Sequence, residues 1–344
     1  MKISRDGAWL TNPWFDSIFL IGFFALLAIM LMGYSGQGLL PISIFSILRF
    51  FSTLIAVAHF IASPLIVYLD INELRNKLLR YLWLPLAFVF LYIILRLRGF
   101  QDLSATVLFY LVALHSVFQN YFIMQAYNFT QAQYPKADLM INSFALLLAP
   151  TYFYLCTVRD TPFNYGGIVT KFSVSPYFLR GLGFLAFFST AVFIARQVYI
   201  YLRRRKIAVF NILMVLVSNC IFYLPLIVFK DNKIFMLGIF RYLHGLQYLA
   251  WLILYSQLKF KEYQLMGAEF VAGFHLPRRG IVLFVLFVTP SYIYLTIMKT
   301  ICNSVHGKDI QEIIFYSAAT FHVLIDGFLW CNFRRIRNLI ALSK

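Results

Sequence analysis

A polytopic, all-α bundle of membrane-spanning helices is the fold class the sequence predicts, and three observations predict it. Hydrophobic residues make up 61% of the 344-residue chain and charged residues only 12%, where a soluble domain carries about a quarter charged. Apolar runs of about 20 residues, enough helix to cross a hydrocarbon core about 30 Å thick, recur along the chain. Between these runs, Lys and Arg gather in short polar segments, as the positive-inside bias of membrane proteins requires.

Met1 to Asn12 is a polar lead carrying Lys2 and Arg5, followed by the apolar run Phe15 to Met32. That run exceeds a signal-peptide core of about 7 to 15 residues and no small-x-small cleavage site follows it, so it reads as a retained first span. Spans are predicted near 15–33, 48–69, 80–96, 103–125, 140–157, 178–201, 207–229, 234–257, 280–298 and 311–331, about ten in all. Pro41 to Ile47 reads as an interfacial or re-entrant piece, and the fifth span is short. Pro64, Pro85, Pro225 and Pro290 fall within spans, where each frees the carbonyl four residues earlier. The stretches Val158 to Tyr177 and Lys259 to Gly280 are too short for separate domains, so residues 1–344 read as a single integral-membrane domain without an internal repeat.

One side of this arrangement receives 19 Lys and Arg residues and the other 9, with Arg49 and Arg241 inside or near spans. The richer side, which holds both termini, is expected to be cytoplasmic. The net charge of +17 is explained by these loops, so no nucleic-acid partner is expected; membrane lipids are. Cys156, Cys220, Cys302 and Cys331 match neither a redox nor a zinc spacing.

The chemistry concentrates in Ala319-Thr320-Phe321-His322-Val323-Leu324-Ile325-Asp326-Gly327-Phe328-Leu329-Trp330, where a histidine and an aspartate stand one turn apart in an apolar helix. Asp326 is read as the one carboxylate that cannot reach water at a helix end, and an ionisable residue at such depth marks a functional site. His59, His115 and His244 lie in comparable surroundings on three other spans. Counted from the predicted outer ends, all four histidines lie about 15 to 18 Å deep at about 1.5 Å per residue, near the midplane. His275 and His306 fall in loops and receive no role.

Four histidines at one depth, out of six in the chain, point to a shared centre. Neutral imidazole is the commonest metal ligand and suits iron, copper and zinc, so His59, His115, His244 and His322 are the candidate ligands of Fe(II) or another transition metal. Three have polar companions at helical spacing. Gln119 follows His115 by four residues, Gln247 follows His244 by three, and Asp326 follows His322 by four. These companions are expected to orient the rings, since a metal-bound imidazole usually donates its other N–H to an amide or carboxylate. Asp326 also fits as a direct ligand or as the partner of Arg241, which precedes His244 by three residues. Asp326 and Arg241 are the candidate catalytic residues, with Tyr121, Tyr242 and Tyr248 as further proton donors.

His322-Val323-Leu324-Ile325-Asp326, together with Ala58-His59-Phe60, resembles histidine-bearing motifs of the Brp/Blh-type membrane β-carotene 15,15′-dioxygenases. Those are polytopic proteins of similar size whose histidines are thought to hold a non-haem iron. The resemblance implies cleavage of a conjugated polyene by O2. The depth of the centre independently favours a lipid-soluble substrate, and the 38 Phe and 22 Tyr residues are available to line its path. Two other classes fit the same histidines: a haem-binding electron carrier with two of them axial, and a metal-ion or proton transporter with Asp326 as the coupled group.

Overall fold

The computed structural model describes residues 12–24, 26–27, 30–31, 42–69, 71–130, 136–159, 163–165, 168–170, 174–204, 208–228, 244–252, 254, 289, 293, 296–297, 300 and 307–330. Described residues are helical almost throughout. In chain order they form α1 (Pro13–Phe15), which runs into a π-helical turn (Asp16–Ile21); α2 (Ile42–Leu69); α3 (Ile71–Asn76); α4 (Leu84–Leu97) behind a second π-helical turn (Leu79–Trp83); α5 (Gln101–Thr130); and α6 (Lys136–Val158). There follow α7 (Pro176–Arg204), α8 (Val209–Val228), a helical stretch over residues 244–252 that we call α9, and α10 (Gly307–Trp330). The exception to an all-α chain is a small antiparallel hairpin between α6 and α7, β1 (Phe163–Tyr165) with β2 (Ile168–Thr170), registered Asn164 against Val169.

Among the described residues, three helices are long and apolar enough to cross a membrane: Leu79–Leu97, Ala137–Cys156 and Pro176–Arg203. Their outer faces are apolar. Phe90 and Leu97 on α4, and Phe184, Phe187 and Leu202 on α7, are each more than 60% exposed. A row of large apolar side chains turned outward is costly in water and matches a lipid surface.

Several predicted elements change shape. The first span is not one helix. Asn12 caps α1 by accepting from the Phe15 N–H at 2.9 Å, with Pro13 in the first turn, but the π turn ends at Gly22 in the left-handed region, φ +98°. Pro41 to Ile47 is not a separate re-entrant piece, because α2 begins at Ile42 and continues through Pro64. The fifth span, α6, is a full 23 residues long and tolerates Pro150 inside it. At Pro85 the predicted loss of a helical bond is visible and compensated. Pro85 cannot donate to the carbonyl of Tyr81, the helix relaxes into the π turn before it, and Tyr68 Oη donates to Tyr81 O at 2.8 Å instead.

α5 is the axis of the bundle. It packs against α4 and α10 on one side and α6 and α8 on the other, while α6 packs on α7 and α8, and α2 on α10. Close approach is built from small residues, as is usual between membrane helices. Ala58 and Ala62 on α2 and Ala319 on α10 are buried, and a Cβ on Gly183 of α7 would fall 2.9 Å from the Tyr152 ring of α6.

Candidate metal centre

His59 comes from α2, His115 from α5, His244 from the start of α9 and His322 from α10. All four are buried. Each offers one ring nitrogen to a group whose ligand atoms lie within 4.8 Å of one another. His59 Nε2 is 2.9 Å from His244 Nε2. The His322 ring sits edge-on to His59, centroids 4.1 Å apart, and 5.2 Å from His115. The His115 and His244 rings are 4.9 Å apart at 87°. The four predicted ligands therefore converge, although no two lie closer in the chain than His59 and His115.

Gly245 is what permits this. A Cβ there would fall 2.8 Å from Ile55 Cγ2, 3.4 Å from the Ile55 carbonyl oxygen and 3.6 Å from His59 Cβ. The residue beside His244 thus lets α9 lie directly on α2 next to His59, a role only a side chain of one hydrogen can fill.

Asp326, fully buried, faces the same centre. Its Oδ2 is 3.2 Å from His115 Nε2 and 3.4 Å from His322 Nε2. The contact with His115 is short enough for a hydrogen bond yet not aligned as one. Donor atoms side by side at this spacing are the arrangement of neighbours around a common cation. Oδ1 accepts a short hydrogen bond from Tyr248 Oη, and the Tyr248 ring lies edge-on to His59 with centroids 4.3 Å apart. Tyr248 stands four residues after His244, the same spacing that singled out Asp326 after His322, so its place on the ring-bearing face was open to the same reading.

The two glutamines do not play the expected part. Gln119 Nε2 donates to the backbone carbonyl of His244 at 3.0 Å, and Gln247 Nε2 donates to the carbonyl of Leu20 at 2.8 Å. Gln119 fastens α5 to α9 at the ligand-bearing residue. Gln247 ties α9 to the π-helical turn at Leu20. Both position backbone, and neither of these bonds holds an imidazole. Arg241, His275 and His306 lie outside the described residues. The reading of Asp326 as the one carboxylate shut away from water is corrected: Asp16 and Asp138 are buried too. Asp138 is held by Arg196, whose Nε donates to Oδ1 at 2.6 Å.

The donor set fits a metal ion. A buried carboxylate oxygen and four buried imidazole nitrogens crowd one point, and a cation at their centre would satisfy lone pairs that otherwise face one another away from water. His59 Nδ1 and Asp326 Oδ2 find no hydrogen-bond partner among the described residues. No protein-family model matches this chain, and neither a curated protein nor a solved structure does, so the donor set itself carries the functional argument.

Proposed function

We propose that the chain is an integral-membrane metalloenzyme, a non-haem iron oxygenase acting on a lipid-soluble, carotenoid-like substrate at the four-histidine centre. The observation that carries this reading is the convergence of four imidazole ligand atoms within 4.8 Å. His59, His115, His244 and His322 would hold the ion, with His59 Nε2 and His244 Nε2, which share a hydrogen bond at 2.9 Å, turned to the same point. Mixed imidazole and carboxylate donors suit iron better than the softer copper(I). A ferrous ion held by these residues would supply dioxygen binding and activation.

The chain's own residues do the rest. Asp326 would offset the charge of a bound metal, Tyr248 fixes the carboxylate and brings a hydroxyl to its edge, and the apolar helices keep bulk water out. Cleavage of a carbon–carbon double bond by one O2 into two carbonyl groups balances without an external reductant. A haem is disfavoured by packing: the His244 and His322 rings lie 4.5 and 4.1 Å from the His59 ring, centroid to centroid, too close to leave room for a porphyrin at His59. The distribution of Lys and Arg supports ten spans in a single membrane domain with both termini cytoplasmic.

Elemental analysis tests the centre, with close to one iron per chain and no Soret band expected. Protein reloaded anaerobically with Fe(II) and mixed with a carotenoid in detergent should consume O2 as the polyene absorbance falls. Protein that takes up neither Fe(II) nor Co(II) overturns the centre. A loaded centre that consumes no O2 with any polyene, together with metal flux in proteoliposomes, overturns the enzyme reading in favour of transport.

A further inference from the structure

Apart from the histidines, α5 to α8 bury a second set of polar side chains. Their levels follow from contacts between helices. Asp138 with Arg196, Phe144 with Ser189 and Tyr152 with Gly183 set α6 antiparallel to α7. Asn219 donates to Thr190 at 2.9 Å and sets α8 beside α7. Asn211 donates to Asn128 at 2.8 Å while Phe210 stacks on Tyr127, which brings the start of α8 to the end of α5.

Asn128, Asp138, Gln197 and Asn211 therefore share one level, at the end of the bundle where α5 leads to α6 and α7 to α8. About one turn further in are Gln125 on α5 and Asn142 on α6. Deeper still, the register of α5 against α8 sets Asn120 level with Ser218 and Asn219. Gln119, beside them, already touches His244. All of these are buried. From Asn128 to His115 the level changes by roughly 20 Å at about 1.5 Å per residue, and over that rise the amides turn from the face of α5 that meets Asn211 to the face that meets His244.

Buried amides between membrane helices are ordinarily satisfied by one another. Here many are not. Gln119 Oε1, Asn120 Oδ1 and Ser218 Oγ near the centre, and Gln125 Nε2, Asn128 Nδ2 and both amide atoms of Gln197 nearer the end, meet no hydrogen-bond partner among the described residues. Donors and acceptors are mixed along the column, so no single ion suits them, whereas water donates and accepts.

We propose that a chain of ordered water molecules fills this column and joins the four-histidine centre to the aqueous phase at that end of the bundle. Arg196, 30% exposed at its side chain, marks the mouth, where hydration also accommodates the buried charge of Asp138. The column gives ordered water access to the centre from one end of the bundle, while the apolar substrate comes from the lipid side. The column rests on the amide groups and not on the identity of the metal.

Radiolytic hydroxyl-radical labelling of the full chain in lipid nanodiscs, read by mass spectrometry, tests it, because radicals formed from buried water oxidise side chains that bulk solvent never reaches. Met124 and Met214, both 0% exposed, and Tyr127, 1% exposed, lie along the column, whereas the equally buried Phe153 sits toward the opposite end of α6. After normalisation for intrinsic reactivity, the first three should label several-fold faster than Phe153. Replacing Asn128→Leu together with Asn211→Leu should lower labelling at Met124. Labelling of Met124 and Met214 no faster than that of Phe153 in the unmodified chain overturns the proposal, and the amides then act as dry interhelical contacts. The unmodified chain decides the question even where the double variant does not fold. Metal content is measured separately, so failure of the column and failure of the metal centre are told apart.

Discussion

His59, His115, His244 and His322 each give one nitrogen to the centre, and removing any one leaves three imidazoles and a carboxylate around it. Each His→Ala variant should bind Fe(II) or Co(II) far more weakly, while His275→Ala and His306→Ala should bind as the unmodified chain does. Isothermal titration with Co(II) checks this, and equal affinity across the six variants would sink the shared centre. Tyr248→Phe removes the hydroxyl that holds Asp326 Oδ1 and keeps the ring against His59. Loss of such a supporting hydrogen bond typically costs 10- to 100-fold in metal affinity, about 1.4 to 2.7 kcal/mol. The d–d spectrum of the cobalt form should shift with it. An unchanged spectrum and affinity would mean that the tyrosine fills space beside Asp326 without orienting it.

At the scale of the helices, two glycines set how closely neighbours approach, and their replacement should separate two roles. Gly245→Ala drives a methyl group to 2.8 Å from Ile55 Cγ2 and 3.4 Å from a backbone oxygen, so α9 must move away from α2. Overpacking of this kind costs about 1 to 3 kcal/mol, and here the shift also moves His244 away from His59, so metal affinity should fall with stability. Gly183→Ala meets the Tyr152 ring at 2.9 Å, remote from the histidines. It should lower the thermal midpoint without changing metal affinity. Thermal unfolding monitored beside metal binding tests both, and loss of metal affinity in Gly183→Ala alone would reverse the assignment.

Across the whole molecule, the basic run Arg203-Arg204-Arg205-Lys206 begins in the last turn of α7, and Lys308 stands in the first turn of the last helix. The proposed ten-span arrangement puts them on opposite sides of the membrane, so reporter fusions after Lys206 and after Lys308 should give opposite signals. The same signal from both would sink the ten-span arrangement. What the sequence by itself determined is the class of the molecule and the members of its centre. Apolar length, charge placement and histidine depth are one-dimensional quantities, and they sufficed to mark α2, α5, α6, α7 and α8 as helices and His59, His115, His244, His322 and Asp326 as a group. Tertiary structure alone decided which polar neighbour serves the centre and which serves the backbone. Gln119 and Tyr248 both stand four residues from a ligand, so spacing cannot rank them. The glutamine is taken by the carbonyl of His244 and the tyrosine by Asp326 because of where α5, α9 and α10 cross. The break at Gly22, the burial of Asp16 and Asp138 and the burial of the amides on α5 were likewise hidden, because each depends on how residues far apart in the chain pack together.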